Sequence, residues 1–463
     1  MRKPLATRFL EFVAGAALAM LAACAMPPID REQLEEMRAT PVRLEGSRGA
    51  LTYAQSQAIL GDLKKRSSET SIFDRHIAVE ESIAGSALSV GNQAVLLEDG
   101  KAAYPAMLAA IRSARHHIHL ETYIYDDDEV GREFAQALME RVRAGVQVRL
   151  LYDSFGSKRT SREFFKPLEA AGVQVLEYHP LDPVALLTKG PVFNQRDHRK
   201  LLIVDGRIAF LGGINISSVY ASPSGPSRNV PFDQRAWRDT QLQVEGPVVN
   251  DFQKVFAQVW EKEKKEKIEG PRYFPTVKPA GPLVVRALDG SPDQPVNPLY
   301  VTFLSAIASA EASVHITIAY FVPDPQLLGA LTEAARRGVD VKLILPSRTD
   351  FWAVFHAGRS FYEDLLEAGV RIFERKDRLL HSKSAVVDGV WSTVVSTNMD
   401  WRSLLHNKEL NAVVLGPEFG GRMEALFEKD LGQSEEITRE KWRNRPLQDR
   451  LREAAARAWA YFL

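Results

Sequence analysis

A ten-residue stretch occurs twice in this chain and constrains it more than any other feature. The first copy is Asp197-His198-Arg199-Lys200-Leu201-Leu202-Ile203-Val204-Asp205-Gly206, and the second is Leu380-His381-Ser382-Lys383-Ser384-Ala385-Val386-Val387-Asp388-Gly389. Each has a His, a Lys two residues later and an Asp five residues after the Lys. Each also reaches an Asn, Asn215 or Asn398, seventeen residues beyond its His. Four positions in register at two places indicate an internal duplication. Such a chain is expected to fold as two related halves, each carrying half of a site.

The surrounding sequence repeats in the same order. Residues 118–125 and 314–321 are rich in β-branched and aromatic residues and read as strands. Helical spacing follows over 131–144, with Phe134, Leu138 and Val142 on one face, and over 326–337. Gly145 and Gly338 stop these helices. Arg-Ala-Gly-Val-Gln-Val-Arg-Leu-Leu at 143–151 matches Arg-Arg-Gly-Val-Asp-Val-Lys-Leu-Ile at 336–344, and Leu-Glu-Ala-Ala-Gly-Val at 168–173 matches Leu-Leu-Glu-Ala-Gly-Val at 365–370. Strands alternating with helices predict an α/β fold. A length of 463 residues leaves room for two to three domains at roughly 100–200 residues each. The expected division is 73–262 for the first domain, 263–282 for a charged then Pro/Gly-rich linker, and 283–435 for the second. Residues 24–72 read as a tether and 436–463 as an amphipathic tail. The apolar loop 182–195 has no counterpart in the second half. It reads as a surface insertion or as a rim that meets an acyl chain.

On a strand, side chains two apart share a face, so His198 faces with Lys200 and His381 with Lys383. Asp205-Gly206 and Asp388-Gly389 are turn dipeptides that return the chain as a hairpin and bring Asn215 and Asn398 back toward their own His and Lys. Two His, two Lys and two Asn suit a phosphodiester. Lys ammonium groups and Asn amides stabilise the charge that grows as a nucleophile adds. One neutral His attacks phosphorus and the other donates a proton to the departing oxygen. Because each half supplies one His, the halves must meet across a pseudo-twofold axis. A nucleophilic imidazole needs an acceptor at its other nitrogen, and the candidates downstream of the motifs are Asp239 and Glu409. Asp205 and Asp388 stand either as catalytic members of the motif or as supports of the hairpin. His116, His117 and His119 read as structural. No metal or other cofactor is required, since lysines carry the charge.

These residues resemble the phospholipase D superfamily, whose signature is His-x-Lys-x4-Asp, twice, each followed by a small residue and an Asn. The resemblance covers roughly residues 75–460. Within the superfamily the chain looks most like bacterial cardiolipin synthases, through Trp237-Arg238-Asp239-Thr240, Arg359-Ser360-Phe361-Tyr362, Ser396-Thr397-Asn398-Met399-Asp400, Asn407-Lys408-Glu409 and Trp442-Arg443-Asn444-Arg445-Pro446. It implies two phospholipase D-like domains, each a mixed β-sheet flanked by helices, with the active site at their interface. It also implies metal-independent, two-step transfer through a phosphohistidine, with His198 as nucleophile. The implied reaction is phosphatidyl transfer to phosphatidylglycerol with release of glycerol, and a related branch uses phosphatidylethanolamine as donor. Two departures stand out. The best-known members carry two N-terminal transmembrane helices, and here a different leader is read. Val394-Val395-Ser396 also stands where the first half has Leu211-Gly212-Gly213.

That leader begins with Arg2, Lys3 and Arg8, continues as a short apolar run from Phe12, and closes on Leu21-Ala22-Ala23-Cys24. The run is too short for a comfortable membrane span and fits a secretory signal over 1–23. Leu-Ala-Ala-Cys resembles a bacterial lipobox, so lipidation is expected at Cys24. Ala25 after it favours an outer-membrane lipoprotein facing the periplasm. Expected partners are therefore membrane phospholipids and the bacterial membrane surface. Lys and Arg number 59 against 59 Asp and Glu, so no global charge draws in nucleic acid, and a nuclease is disfavoured against transferase or hydrolase. The tail places Leu447, Leu451, Ala455 and Trp459 on one stripe. It reads as a helix closing the core or one lying among lipid headgroups. Phe351, Trp352 and Phe355 carry the same two readings, core or lipid-facing rim.

Overall fold

A computed structural model describes residues 31–181, 194–221, 232 and 235–460. Cys24, nearly all of the loop 182–195 and the terminal Phe462-Leu463 lie outside the described residues. In chain order the strands are β1 (Leu44–Gly46), β2 (Gly49–Ala50), β3 (Leu88–Glu98), β4 (His117–Thr122), β5 (Gln147–Asp153), β6 (Gln174–Tyr178), β7 (Arg196–Asp197), β8 (Leu201–Val204), β9 (Ile208–Gly212) and β10 (Thr240–Glu245). The second half supplies β11 (Leu283–Gly290), β12 (Ser313–Ile318), β13 (Asp340–Pro346), β14 (Arg371–Arg375), β15 (Lys383–Val387), β16 (Trp391–Val395), β17 (Asn407–Leu415) and β18 (Ser434–Ile437).

The two halves repeat one topology. In the first, β4, β5 and β6 run parallel, and β8 joins β4 antiparallel and leads through β9 and β10 to β3. In the second, β12, β13 and β14 run parallel, and β15 joins β12 antiparallel and leads through β16 and β17 to β11. Strand β3 fuses them: its start pairs with β11 and its end with β10. The inner strands are buried along their length, as in a sheet covered on both faces.

Local signals place the flanking helices. Helix Glu129–Arg143 is capped by the Asp128 carboxylate, which accepts from the Gly131 amide at 2.9 Å. Helix Pro325–Arg336 is capped likewise by Asp324. Gly172 and Gly369 end equivalent helices in the left-handed region, with φ of 100° and 98°, as a C-terminal glycine does. Phe134, Leu138, Leu150 and Phe165 belong to a core of the first half. A second core spans both halves, where Phe252 and Phe256 of helix Val249–Lys264 pack with Phe419 and Met423 of helix Pro417–Leu431. The halves are therefore welded rather than hinged.

Residues 31–72, expected as a tether, fold differently. Helix Tyr53–Arg66 opens with a reciprocal cap between Thr52 and Gln55 and buries Leu60 and Leu63 with Leu44, Ile72 and Ile77 in the core of the second half. Farther on, the buried Glu80 carboxylate accepts from the Trp391 indole at 3.1 Å. The exposed Gln and Lys of this stretch disguise its narrow apolar stripe. Among the described residues no helix is long and apolar enough to cross a membrane.

Candidate active site

Strand β7 is only two residues long, and its partner belongs to the other half. Arg196 and Asp197 pair in parallel with Asn407 and Lys408 of β17, and the His198 amide donates to the Lys408 carbonyl at 2.9 Å. The mirror contact joins Arg238 to Leu380, and the His381 amide donates to the Arg238 carbonyl at 2.8 Å. The residue after each of these carbonyls is a carboxylate. Glu409 thereby reaches His198, with Nδ1 at 2.9 Å and 3.1 Å from its two oxygens. Asp239 reaches His381, with Nδ1 2.6 Å from Oδ2. Order along the chain would pair each carboxylate with the motif before it. The structure pairs it with the opposite one, because the strand exchange carries it across.

The carboxylates are themselves fixed. Glu409 accepts from the Ser396 hydroxyl at 2.5 Å and from the Asn407 amide at 3.3 Å. Asp239 accepts from the Thr240 backbone amide at 2.7 Å. The departure at Val395-Ser396 becomes intelligible here. A Cβ on Gly213, which occupies the equivalent place in the first half, would come within 2.1 Å of the Asp239 carboxylate. Beside Glu409, one methylene longer, Ser396 fits and donates a hydrogen bond. It serves His198, the imidazole of the other half. Ser396 was thus visible in the sequence, but only as an irregularity.

Both lysines are buried, each against the His of its own motif. Lys200 donates to the His198 carbonyl at 2.5 Å, and Lys383 donates to the His381 carbonyl at 2.6 Å and lies 3.1 Å from His381 Nδ1. Burial lowers the pKa of Lys200 to about 7, and the charge of Lys383 works in the same direction. Burial also lowers Lys383. His198 falls to about 4, through burial and then the Lys200 charge, against the pull of Glu409. Burial and the Lys383 charge lower His381 as well. A neutral imidazole whose Nδ1 faces a carboxylate carries its proton there and leaves the Nε2 lone pair free. Glu409 stays below the usual carboxylate range despite burial, because His198 stands against it.

Asp205 and Asp388, counted among the catalytic residues of the motif, do not touch the imidazoles. Asp205 accepts from the backbone amides of Arg115, His116 and His117 at 2.8–3.0 Å. Asp388 accepts from those of Glu311, Ala312 and Ser313, and from the Thr70 hydroxyl at 2.6 Å. Each sits in the left-handed region, with φ of 54° and 51°, at the hairpin turn remote from the His. They anchor the strand that carries the site, and their reading as hairpin supports is the one the geometry favours.

The two amides differ. Asn215 accepts from the Ile124 amide at 3.0 Å and donates to the Tyr220 hydroxyl at 2.9 Å, so most of its capacity is used within the protein. The Tyr220 hydroxyl also lies 3.4 Å from His381 Nδ1. Asn398 has a buried side-chain oxygen with no hydrogen-bond partner among the described residues. Tyr220 was not legible in the sequence, nor was Tyr123, whose ring lies 4.7 Å from that of His198. The other His cluster is structural. His119 is held by Gln253 at 2.8 Å and Arg149 at 3.1 Å and stacks on Phe256.

Residues 107–224 and 303–431 match the family described as cardiolipin synthase, PLD-like domain. The chain belongs to this phospholipase D-like cardiolipin synthase family. It is 37% identical over 372 residues to the cardiolipin synthase of Geobacillus kaustophilus, covering 80% of this chain and 72% of that relative. It is also 37% identical over 379 residues to that of Halalkalibacterium halodurans, covering 81% and 73%. Among solved structures, the phosphatidylserine synthase of Haemophilus influenzae Rd KW20 superposes with a TM-score of 0.59 at 14% identity, covering 80% of this chain and 95% of that one. At that identity the likeness speaks for the shared two-domain fold. Both family matches include a His/Lys motif and its Asn, but neither reaches Asp239, which the tertiary structure alone places at His381.

Proposed function

We propose that this protein is a phosphatidyltransferase that makes cardiolipin from phosphatidylglycerol through a covalent phosphohistidine on His198. The observation that carries the reading is the pair of buried imidazoles, each held at Nδ1 by a carboxylate of the opposite half, with a buried lysine beside each. In the first step His198 Nε2 attacks phosphorus, and the bond to the headgroup glycerol breaks. His381, protonated, gives its proton to the departing oxygen. The anionic phosphodiester beside it raises its hold on that proton. In the second step neutral His381 takes the proton from a glycerol hydroxyl of a second phosphatidylglycerol. That oxygen attacks phosphorus and frees His198. The balance is two phosphatidylglycerol to one cardiolipin and one glycerol. Lys200, Lys383 and the side-chain N–H groups of Asn398 offset the charge that develops on the phosphoryl oxygens.

The test is purified protein on vesicles of phosphatidylglycerol and phosphatidylethanolamine, with products read by mass spectrometry. Cardiolipin with glycerol release is expected. Phosphatidic acid without cardiolipin would assign a hydrolase instead. Cardiolipin formed only when phosphatidylethanolamine is present would make that lipid the donor. Leu21-Ala22-Ala23-Cys24 supports a lipid anchor at Cys24, and Ala25 after it supports a place on the outer membrane facing the periplasm. Palmitate labelling that persists in Cys24→Ser would refute the anchor.

A further inference from the structure

The C-terminal helix, Leu447–Arg457, buries the face opposite to its apolar stripe. Glu453 and Ala456 point inward, and the Glu453 carboxylate pairs with Arg359 at 3.3 Å and Arg445 at 2.8 Å. The helix lies alongside helix Trp352–Arg359, and Arg457 donates to the Ser360 carbonyl at 3.0 Å. The two run in the same direction, which places Trp352 at the Leu447 end. Large apolar side chains are left in solvent along this face: Phe351 is 48% exposed, Trp352 56%, Leu447 70%, Leu451 64% and Trp459 65%. The other exposed large apolar residues among those described are Tyr53, Val95, Phe155, Leu181, Val219 and Val296, and apart from Tyr53 each is less exposed than these five. An apolar patch of this kind on a folded protein marks a binding surface.

Charge and position identify what binds. From Arg443 to Ala460 the exposed charged residues are Arg443, Arg450, Arg452 and Arg457, of which Arg452 pairs with Asp449 and Arg457 with Asp364, while the acids Asp449 and Glu453 are half-buried and buried. Aromatic and leucine side chains rimmed by arginines match the boundary between headgroups and acyl chains of an anionic bilayer. The patch also opens at the rim of the active site. Phe351 and Trp352 directly follow Asp350, whose carboxylate accepts from the Tyr320 hydroxyl at 2.5 Å, and the Tyr320 ring lies 6.3 Å from that of His381.

We infer that the face made by Phe351, Trp352, Leu447, Leu451 and Trp459 docks on an anionic phospholipid bilayer and turns the mouth of the site toward it. The inference rests on the phospholipid substrate proposed above. It is tested on the full chain with vesicles of brominated phosphatidylglycerol, which quench tryptophans at the depth of the acyl chains. Quenching is expected in the parent and is expected to disappear in the double variant Trp352→Phe, Trp459→Phe, because the other tryptophans are buried or half-buried. Arg450→Glu with Arg452→Glu should weaken vesicle affinity by at least about fivefold for each arginine replaced. Equal quenching of parent and double variant would overturn the inference, as would a sedimentation mass that doubles in the parent and halves in Leu451→Glu, which would assign the face to a second copy of the chain. Leu451→Glu should keep its turnover on phosphatidylglycerol dispersed in detergent and lose it on vesicles. Equal loss on both would also overturn the docking role. A parent that docks yet forms no product in either medium would instead refute the proposed reaction.

Discussion

The crossing of the carboxylates is open to a direct test through Glu409→Gln. The side chain keeps its size, but its amide offers an N–H where the carboxylate offered an acceptor. His198 Nδ1 lies 2.9 Å from Glu409 Oε1, so the imidazole is free to turn its proton to Nε2, the atom that must attack phosphorus. A wrong tautomer in a comparable His–carboxylate pair costs about 10⁴ in kcat. A loss of one buried, charge-assisted hydrogen bond alone costs about 1.5–3 kcal/mol, or roughly 10–150-fold. Ser396 and Asn407 also donate to Glu409, so an amide N–H at either position meets a donor as well, and a loss of about 10²–10⁴ is expected, with KM little changed. The assay is glycerol release from phosphatidylglycerol, paired with ¹⁵N-histidine NMR to read the tautomer of each imidazole. Glu409→Gln is expected to shift the His198 nitrogens and leave those of His381. Asp239→Asn should do the reverse. A variant that moves only the imidazole of its own half, or loses less than about tenfold in kcat, would refute the crossed arrangement.

Two more outcomes follow from the same geometry. Lys200 must be charged to offset phosphoryl charge and His381 must hold a proton as general acid, and both are lowered, Lys200 to about 7, so kcat/KM is expected to fall as pH rises toward and through about 7. On the acid side it should fall as pH drops through about 4, where His198 takes up a proton. An upper limb that moves to higher pH in Lys200→Arg would assign it to Lys200, and an unmoved limb would assign it to His381. Asp388→Ala removes the acceptor for three backbone amides and a hydroxyl, and should cost about 3 kcal/mol or more of stability, read as a lower Tm, while purified folded enzyme keeps measurable turnover. Stability unchanged with turnover abolished would return Asp388 to the chemistry.

The duplicated motif by itself determined much of this protein. Its register predicts two halves, and the paired stretches around Gly172 and Gly369 predict their strands and helices, because a left-handed stop favours glycine. His198, Lys200, His381 and Lys383 were legible because phosphoryl chemistry requires those groups at that spacing. Residues 53–66 read as part of a tether although Thr52 and Gln55 announce a helix, since a stripe of a few leucines among Gln and Lys shows itself only when something covers it. Tertiary structure alone decided that Glu409 serves His198 and Asp239 serves His381. Those pairs are 211 and 142 residues apart in sequence, and a hydrogen bond depends on where the strand exchange brings two atoms, which no local pattern records. The same holds for the C-terminal helix. Periodicity shows that Leu447, Leu451 and Trp459 share a face, but packing of Glu453 against Arg359 and Arg445 decides that this face looks outward.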